Sequence, residues 1–169
     1  MHAFVDESVR GGQYLLVAVL VSPGQVELVR RELRRLLLPG ERVLHFSREG
    51  PARRREILGK IEALPILAIQ EAQSREGGDI AARKACWEGL MSRIVERDVR
   101  RLVVESREGQ DDRDRRWIAQ LLTQAGKGEQ VEYLHLRPAE EPALWLPDAV
   151  AWAVGRGGEW RRLLGERCP

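Results

Sequence analysis

The sequence predicts an α/β fold: a mixed, five-stranded sheet with helices on both faces. Three observations predict it. Two strand-forming segments lie next to each other at the N-terminus, joined by glycines. Three later strand segments are separated by stretches whose apolar residues recur at helical spacing. The order is therefore strand, strand, helix, helix, strand, helix, strand, helix, strand, helix, which gives an α/β domain. No repeat, low-complexity stretch or long linker divides the chain, so residues 1–169 are expected to form a single domain.

Residues 2–7 and 13–21 are the first two strands, turning around Arg10-Gly11-Gly12, since Gly-Gly accepts the positive φ of a tight turn. The second strand, Gln13 to Val21, carries no charge, as expected for a strand buried on both faces. Ser22-Pro23-Gly24 stops it. Residues 25–38 form a helix with Val26, Val29, Leu33, Leu36 and Leu37 on one stripe and Arg30, Arg31, Arg34 and Arg35 around it. Pro39-Gly40 ends that helix. A connection over 42–50 contains Val43-Leu44-His45-Phe46, and a second helix covers 51–63, with Pro51 in its first turn. Residues 65–72 are the third strand, 79–98 a long helix, 100–105 the fourth strand, 111–125 a helix and 131–136 the fifth strand. A proline-rich joint over 138–147 leads into a helical region at 147–164.

Hydrophobic residues make up 43% of the chain, enough for a real core. Charged residues make up 32%, but the net charge is only +2, which does not by itself announce a nucleic-acid binder. Three of the 28 basic residues are Lys (Lys60, Lys84, Lys127), leaving 25 Arg. Arg forks match phosphate geometry better than Lys does, although a GC-rich genome explains the same bias. Cys86 and Cys168 form no zinc pattern and fit a reducing cytoplasm. The N-terminus does not resemble a signal peptide, and no apolar run nears the ~18–20 residues that span a bilayer.

Three carboxylates lie beside apolar sequence. Asp6 follows Phe4-Val5, Glu105 follows Leu102-Val103-Val104, and Asp148 lies within Leu144-Trp145-Leu146-Pro147-Asp148-Ala149-Val150-Ala151-Trp152. On a helix, Leu144, Asp148, Ala151 and Trp152 share a face, which turns Asp148 toward the sheet. Two strand ends and one packed helix can bring three carboxylates together. A hard cation, Mg²⁺ or Mn²⁺, would relieve their repulsion in an all-oxygen site. Each also has a plain structural reading: Asp148 as a first-turn acid, Asp6 and Glu7 as a strand end at the surface, Glu105 as a partner for an Arg.

Phe4-Val5-Asp6-Glu7-Ser8 resembles the opening Phe-[Ile/Val]-Asp-Glu-Ser-Gly of the bacterial domain-of-unknown-function 3800 family, which has a ribonuclease H-like fold. The segment around Asp148 resembles that family's late motif, Leu-Gln-[Leu/Ile]-Ala-Asp followed by two apolar residues and Ala. Leu102-Val103-Val104-Glu105 takes the middle acidic position, and Val43-Leu44-His45-Phe46 resembles the short His-containing segment before the third strand. The chain departs from the pattern at Val9, Trp145 and Pro147. The resemblance implies a ribonuclease H-like sheet and phosphodiester hydrolysis by two metals. Asp6 would bridge two Mg²⁺ or Mn²⁺ ions, with Glu105 and Asp148 flanking. The alternative is a non-catalytic module of the same fold that binds nucleic acid or protein. A third class, a metal-free carboxylate-pair hydrolase, needs two separated carboxyl pKa values.

Glu7 points to the opposite strand face from Asp6 and ranks below it as an accessory group. His45 is a phosphate contact or proton shuttle, or a structural hydrogen-bonder. Arg10 and Arg107 are phosphate contacts, and Trp145 a base-stacking platform. His135, beside Tyr133 on the fifth strand, reads as packing, and Asp111-Asp112 as an acidic helix start. Nucleic acid, DNA or RNA, is the expected partner. A homodimer is left open, no membrane partner is expected, and the location is cytoplasmic.

Overall fold

In the computed structural model, which describes residues 1–165, five strands form one sheet. They are β1 (His2–Arg10), β2 (Gln13–Val21), β3 (Ile66–Ser74), β4 (Arg101–Glu105) and β5 (Glu132–Leu136). The sheet order is β3-β2-β1-β4-β5. The pairs β1–β2 and β2–β3 are antiparallel, while β1–β4 and β4–β5 are parallel. The first three strands are thus antiparallel neighbours, and β4 lies directly beside β1.

Among the described residues six α-helices accompany the sheet: α1 (Val26–Arg34), α2 (Pro51–Glu62), α3 (Asp79–Glu96), α4 (Asp111–Gln124), α5 (Trp145–Arg156) and α6 (Gly158–Arg162), the last packed on α5. Strand alternation sorts the core into two clusters. Phe4, Val17, Val19 and Val103 face α1, α2 and α5. Ala3, Val5, Leu16, Ala18, Leu102 and Val104 face α3 and α4. The run from Tyr14 to Val21 is buried throughout, which is why this strand reads as uninterrupted apolar sequence.

Several boundaries differ from expectation. β1 does not stop at the carboxylates but continues to Arg10, paired residue by residue with β2. Asp6 and Glu7 are therefore mid-strand residues and do not terminate a strand at the surface. The two-residue turn Gly11-Gly12 has φ of 57° and 77°, the positive values a type I′ hairpin demands. Helix α1 ends at Arg34, four residues early. The last helical region breaks at Gly157, whose φ of 68° ends α5 before α6 begins. Phe46–Arg48 is a single 3-10 turn.

The start of α5 is fixed by groups the sequence did not single out. Glu141 is 3% exposed; it accepts from the Ala143 N–H at 3.1 Å and binds the Arg30 guanidinium, with Nε at 2.9 Å. This clamps the 3-10 turn Pro142–Leu144 onto α1 and sets where α5 begins. Pro147 falls in the first turn of α5, where its missing N–H costs no helical bond. It leaves the helix start intact, so Asp148 keeps its aim.

No helix among the described residues is long and apolar enough to cross a membrane. Cys86 is a free, buried thiol, pushed up to about 11 by burial. Cys168 lies outside the described residues.

The hairpin makes a direct prediction. At positive φ an added Cβ meets the following carbonyl oxygen. Gly12→Ala should destabilise the protein by about 1 kcal/mol in urea melts. An equal loss at Gly24, whose φ is not in that region, would show the turn to be unimportant.

Candidate active site

The parallel register pairs Val5 with Val104. One residue further on, Asp6 and Glu105 therefore stand side by side, on the same sheet face as Phe4 and Val103. Across that face lies α5, which brings Asp148 in its first turn. Asp6, Glu105 and Asp148 together line one small cavity of about 150 Å³, with His45 and Arg107 at its wall. The three residues named from sequence thus face one space.

Electrostatics inside the cavity follow from burial of like charges. Asp6 is 4% exposed, and its pKa is raised by burial against the lowering pull of Arg107. Glu105 is pushed up to about 8, first by burial and then by the charge of Asp6. The two carboxyls lie close enough for the charge of Asp6 to oppose ionisation of Glu105. Asp148 is pushed up to about 6 by burial and then by Asp6; the Phe46 N–H, donating to its Oδ2 at 3.3 Å, works the other way. Two like charges that cannot both ionise cheaply are the expected outcome of this spacing.

Arg107 is the cation present. Its Nη2 lies 3.2 Å from Asp6 Oδ1 and its Nε 3.3 Å from Glu7 Oε1. The Nε is at ion-pair distance but not aligned as a hydrogen bond to any partner. Asp111 holds the Arg107 backbone, accepting from its N–H at 2.7 Å and from the Ser106 hydroxyl at 2.7 Å. Asp111 is thus an anchor for the loop carrying Arg107.

As the side chains stand, no group of three or more His, Cys, Asp or Glu among the described residues is arranged to hold a metal ion. The geometry gives the reason: Arg107 draws Asp6 toward itself, and the Phe46 N–H draws Asp148 toward the 43–48 loop. The donor set nevertheless fits a hard divalent cation. It is all oxygen, and the Glu105 carboxyl retains at neutral pH a proton that such a cation would displace.

The remaining expected residues fall in different places. Glu7 faces away from Asp6, toward α3, where it pairs with Arg83. His45 is exposed at the cavity mouth. Arg10 is exposed further along β1, its guanidinium 5.7 Å from the Trp152 ring centre. Trp145 is corrected: it is 2% exposed and donates its indole N–H to the Pro138 carbonyl at 2.9 Å. A ring so enclosed offers no face to a base; the half-exposed indoles are Trp117, Trp152 and Trp160, of which the last two lie beside the cavity wall residue Asp148.

A polar network on the other sheet face escaped the sequence reading. Arg83, 3% exposed, binds Glu7, Asp114 Oδ1 at 2.8 Å and the Tyr14 hydroxyl at 2.5 Å. The Trp87 indole also donates to Asp114, at 3.2 Å. His135 lies 3.8 Å from Asp114 and makes a hydrogen bond with the Tyr133 hydroxyl. Burial works to raise the Asp114 pKa, but the bonds from Arg83, with the His135 ring nearby, outweigh it and hold the group low. The signal was present: Arg83 falls on the stripe of Cys86, Trp87 and Leu90, and Asp114 on that of Ile118 and Leu122.

No family model and no curated protein matches the chain. A solved structure, that of the PCNA:RNase HII complex from Archaeoglobus fulgidus, is similar at a TM-score of 0.62 and 18% identity, over 92% of this chain and 72% of that one. The fold is ribonuclease H-like. At that identity the likeness concerns fold, and the site rests on the geometry above.

Two predictions follow from these charges. Arg83→Ala leaves Glu7 and Asp114 buried without their cation and should cost about 3–5 kcal/mol in denaturant melts. A loss under 1 kcal/mol would show that the network carries little. Glu105 binds a proton more tightly folded than unfolded, so the folded state holds the extra proton and stability falls as pH rises. In chelator, that decline should run from about the ordinary value of 4.5 to about 8. Glu105→Gln should flatten it in the same pH series; an unchanged slope would reject the shift.

Proposed function

We propose that the chain, over residues 1–169, acts as one ribonuclease H-like domain that hydrolyses phosphodiester bonds with divalent metal. The observation carrying this reading is the convergence of Asp6, Glu105 and Asp148 on one cavity. The resemblance to the domain-of-unknown-function 3800 family around Asp6 and Asp148 supports the same assignment. Asp6 would hold cations jointly with Glu105 on one side and Asp148 on the other. Mg²⁺ or Mn²⁺ bound there supplies an attacking water of lowered pKa and charge stabilisation for the leaving oxygen.

The chain's own residues have separate tasks in this scheme. Glu105 releases its proton when the carboxylates are loaded, since the charged form is then the favoured one. Arg107 neutralises Asp6 in the metal-free state. Its side chain is 40% exposed, so it can turn outward to a substrate phosphate once that duty is taken over. His45 at the mouth is placed to meet a phosphate or carry a proton. Glu7 stays on Arg83 and keeps β1 straight, a positioning role. A non-catalytic nucleic-acid or protein module of the same fold is the second reading, favoured by the ion pairing of Arg107 across Asp6.

Metal should raise thermal stability, because a ligand of the folded state alone stabilises it, by about 2.7 kcal/mol at a hundredfold excess over Kd. Asp6→Asn should remove that gain in thermal melts with Mn²⁺; identical gains in wild type and variant would place the ion elsewhere. Cleavage of a DNA and RNA panel should need Mg²⁺ or Mn²⁺, stop with chelator, and nearly vanish in Asp6→Ala and Asp148→Ala. Ca²⁺ should permit binding with little turnover. Nucleic acid bound but never cut, across the panel, would favour the second reading.

A further inference from the structure

Beyond the carboxylate cavity, the same side of the sheet carries a second cleft of about 570 Å³. The two share Glu7, Ser47 and Asp148 as wall residues, so they adjoin. Ser8 and Arg10 in turn connect the second cleft with a third, of about 350 Å³, which reaches Arg161. The path therefore runs from Asp148 past Trp152 and Arg10 to the end of α6.

Many surface Arg residues of this chain are ion-paired, as Arg35 is with Glu32, Arg75 with Asp79 and Arg115 with Asp112, while others away from the path, such as Arg42 and Arg137, have no carboxylate at ion-pair distance among the described residues. Arg10, Arg156 and Arg161 are all exposed, and none has a carboxylate at ion-pair distance among the described residues. Three guanidinium groups without an ion-pair partner among the described residues thus line one path.

Aromatic groups interleave with them. The Arg54 guanidinium lies 4.3 Å from the Trp152 ring centre, held there by its bonds to the Phe46 and Ser47 carbonyls at 3.1 and 2.6 Å. Trp152 meets Trp160 edge-on at 5.2 Å and Phe46 at 5.3 Å. Phe46 is fully buried, so the stack is seated on the core and does not swing freely. Both indoles are half-exposed within the cleft.

We propose that this path binds a single strand of nucleic acid, with phosphates on Arg10, Arg156 and Arg161 and a base against the Trp152–Trp160 pair. The inference deepens the nuclease reading and rests on it for the polymer's class. Guanidinium forks match phosphate, and an aromatic stack accepts any base whose face is free. In a duplex those faces are covered by neighbouring pairs. An acidic peptide would use the Arg residues but leave the indoles without a partner. The strand would approach the carboxylates from the α6 side.

The test is fluorescence anisotropy in chelator, with labelled oligo-dT and oligo-rU of roughly 12 nucleotides, within the range of a small single-strand site. A blunt duplex of the same length and unlabelled polyglutamate serve as comparisons. Single strands should bind at least about tenfold tighter than the duplex, and polyglutamate should not displace them. The double variant Arg10→Ala/Arg156→Ala should weaken binding about tenfold and reduce the salt slope by about 1.4, at ~0.7 per phosphate contact. Trp160→Leu should weaken binding about fivefold or more with the slope unchanged, because stacking releases no counterions.

Equal affinity for duplex, displacement by polyglutamate, or an unaltered double variant would overturn the inference. The Arg variants are exposed and keep the test valid should Trp160→Leu disturb folding. The two readings separate cleanly. Strands that bind through these Arg residues but are never cut leave the path standing and defeat the nuclease assignment. Metal-dependent cutting that ignores Arg10 and Arg156 does the reverse.

Discussion

Two consecutive carboxylates in a strand buried on both faces set the terms for the rest of the molecule. Neither Asp6 nor Glu7 can be left as a bare charge in that environment. Alternation sends them to opposite faces, and although Arg107 reaches both, their principal partners differ. Glu7 receives a permanent one, since Arg83 is delivered by α3 and locked by Asp114, Tyr14 and Trp87. Asp6 receives a replaceable one. Arg107 reaches it from a loop and remains partly exposed, and the charge of Asp6 still pushes up the neighbouring Glu105 carboxyl. One face is thereby fixed, and the other retains unspent electrostatic free energy that a cation can release.

The sheet's connectivity makes this asymmetry available. Placing β4 parallel to β1 lines up Glu105 with Asp6 with no further instruction, because parallel register carries residues forward together. Helix α5 then supplies the third carboxyl from across the layer. Its aim depends on Glu141, clamped by the sequence-remote Arg30, and on the equally remote Phe46 N–H. A substitution at Glu141 would thus be felt at Asp148 even though the two are a full turn of structure apart.

Much of the architecture could be read from the chain. The charge-free β2, the Gly-Gly turn and the helical stripes gave the element order, and the carboxylates beside apolar runs gave Asp6, Glu105 and Asp148. Position along β1 was misjudged because charged residues resemble a strand end when the ladder partner is unknown. Only the pairing with β2 carries the strand on to Arg10. Trp145 was misassigned for a related reason: helical spacing tells which residues share a face, but the 3-10 turn before α5 rotates that face inward. Arg83 and Asp114 were legible as polar residues on apolar stripes. Their partner, Glu7, comes from another element 76 residues away along the chain from Arg83, a pairing that local pattern does not contain.

The uninterrupted run of β1 past its carboxylates also gives the molecule a scale. From Asp6 to Arg10 the strand advances four residues, about 13 Å at ~3.3 Å each. Every residue over that stretch is paired with β2, so that length cannot stretch or slacken as a loop would. A polymer gripped at the outer end of β1 would meet the carboxylates at a set offset from the grip. The strand then works as a ruler, and the position of any cut would be metered by backbone geometry and not by the sequence being held.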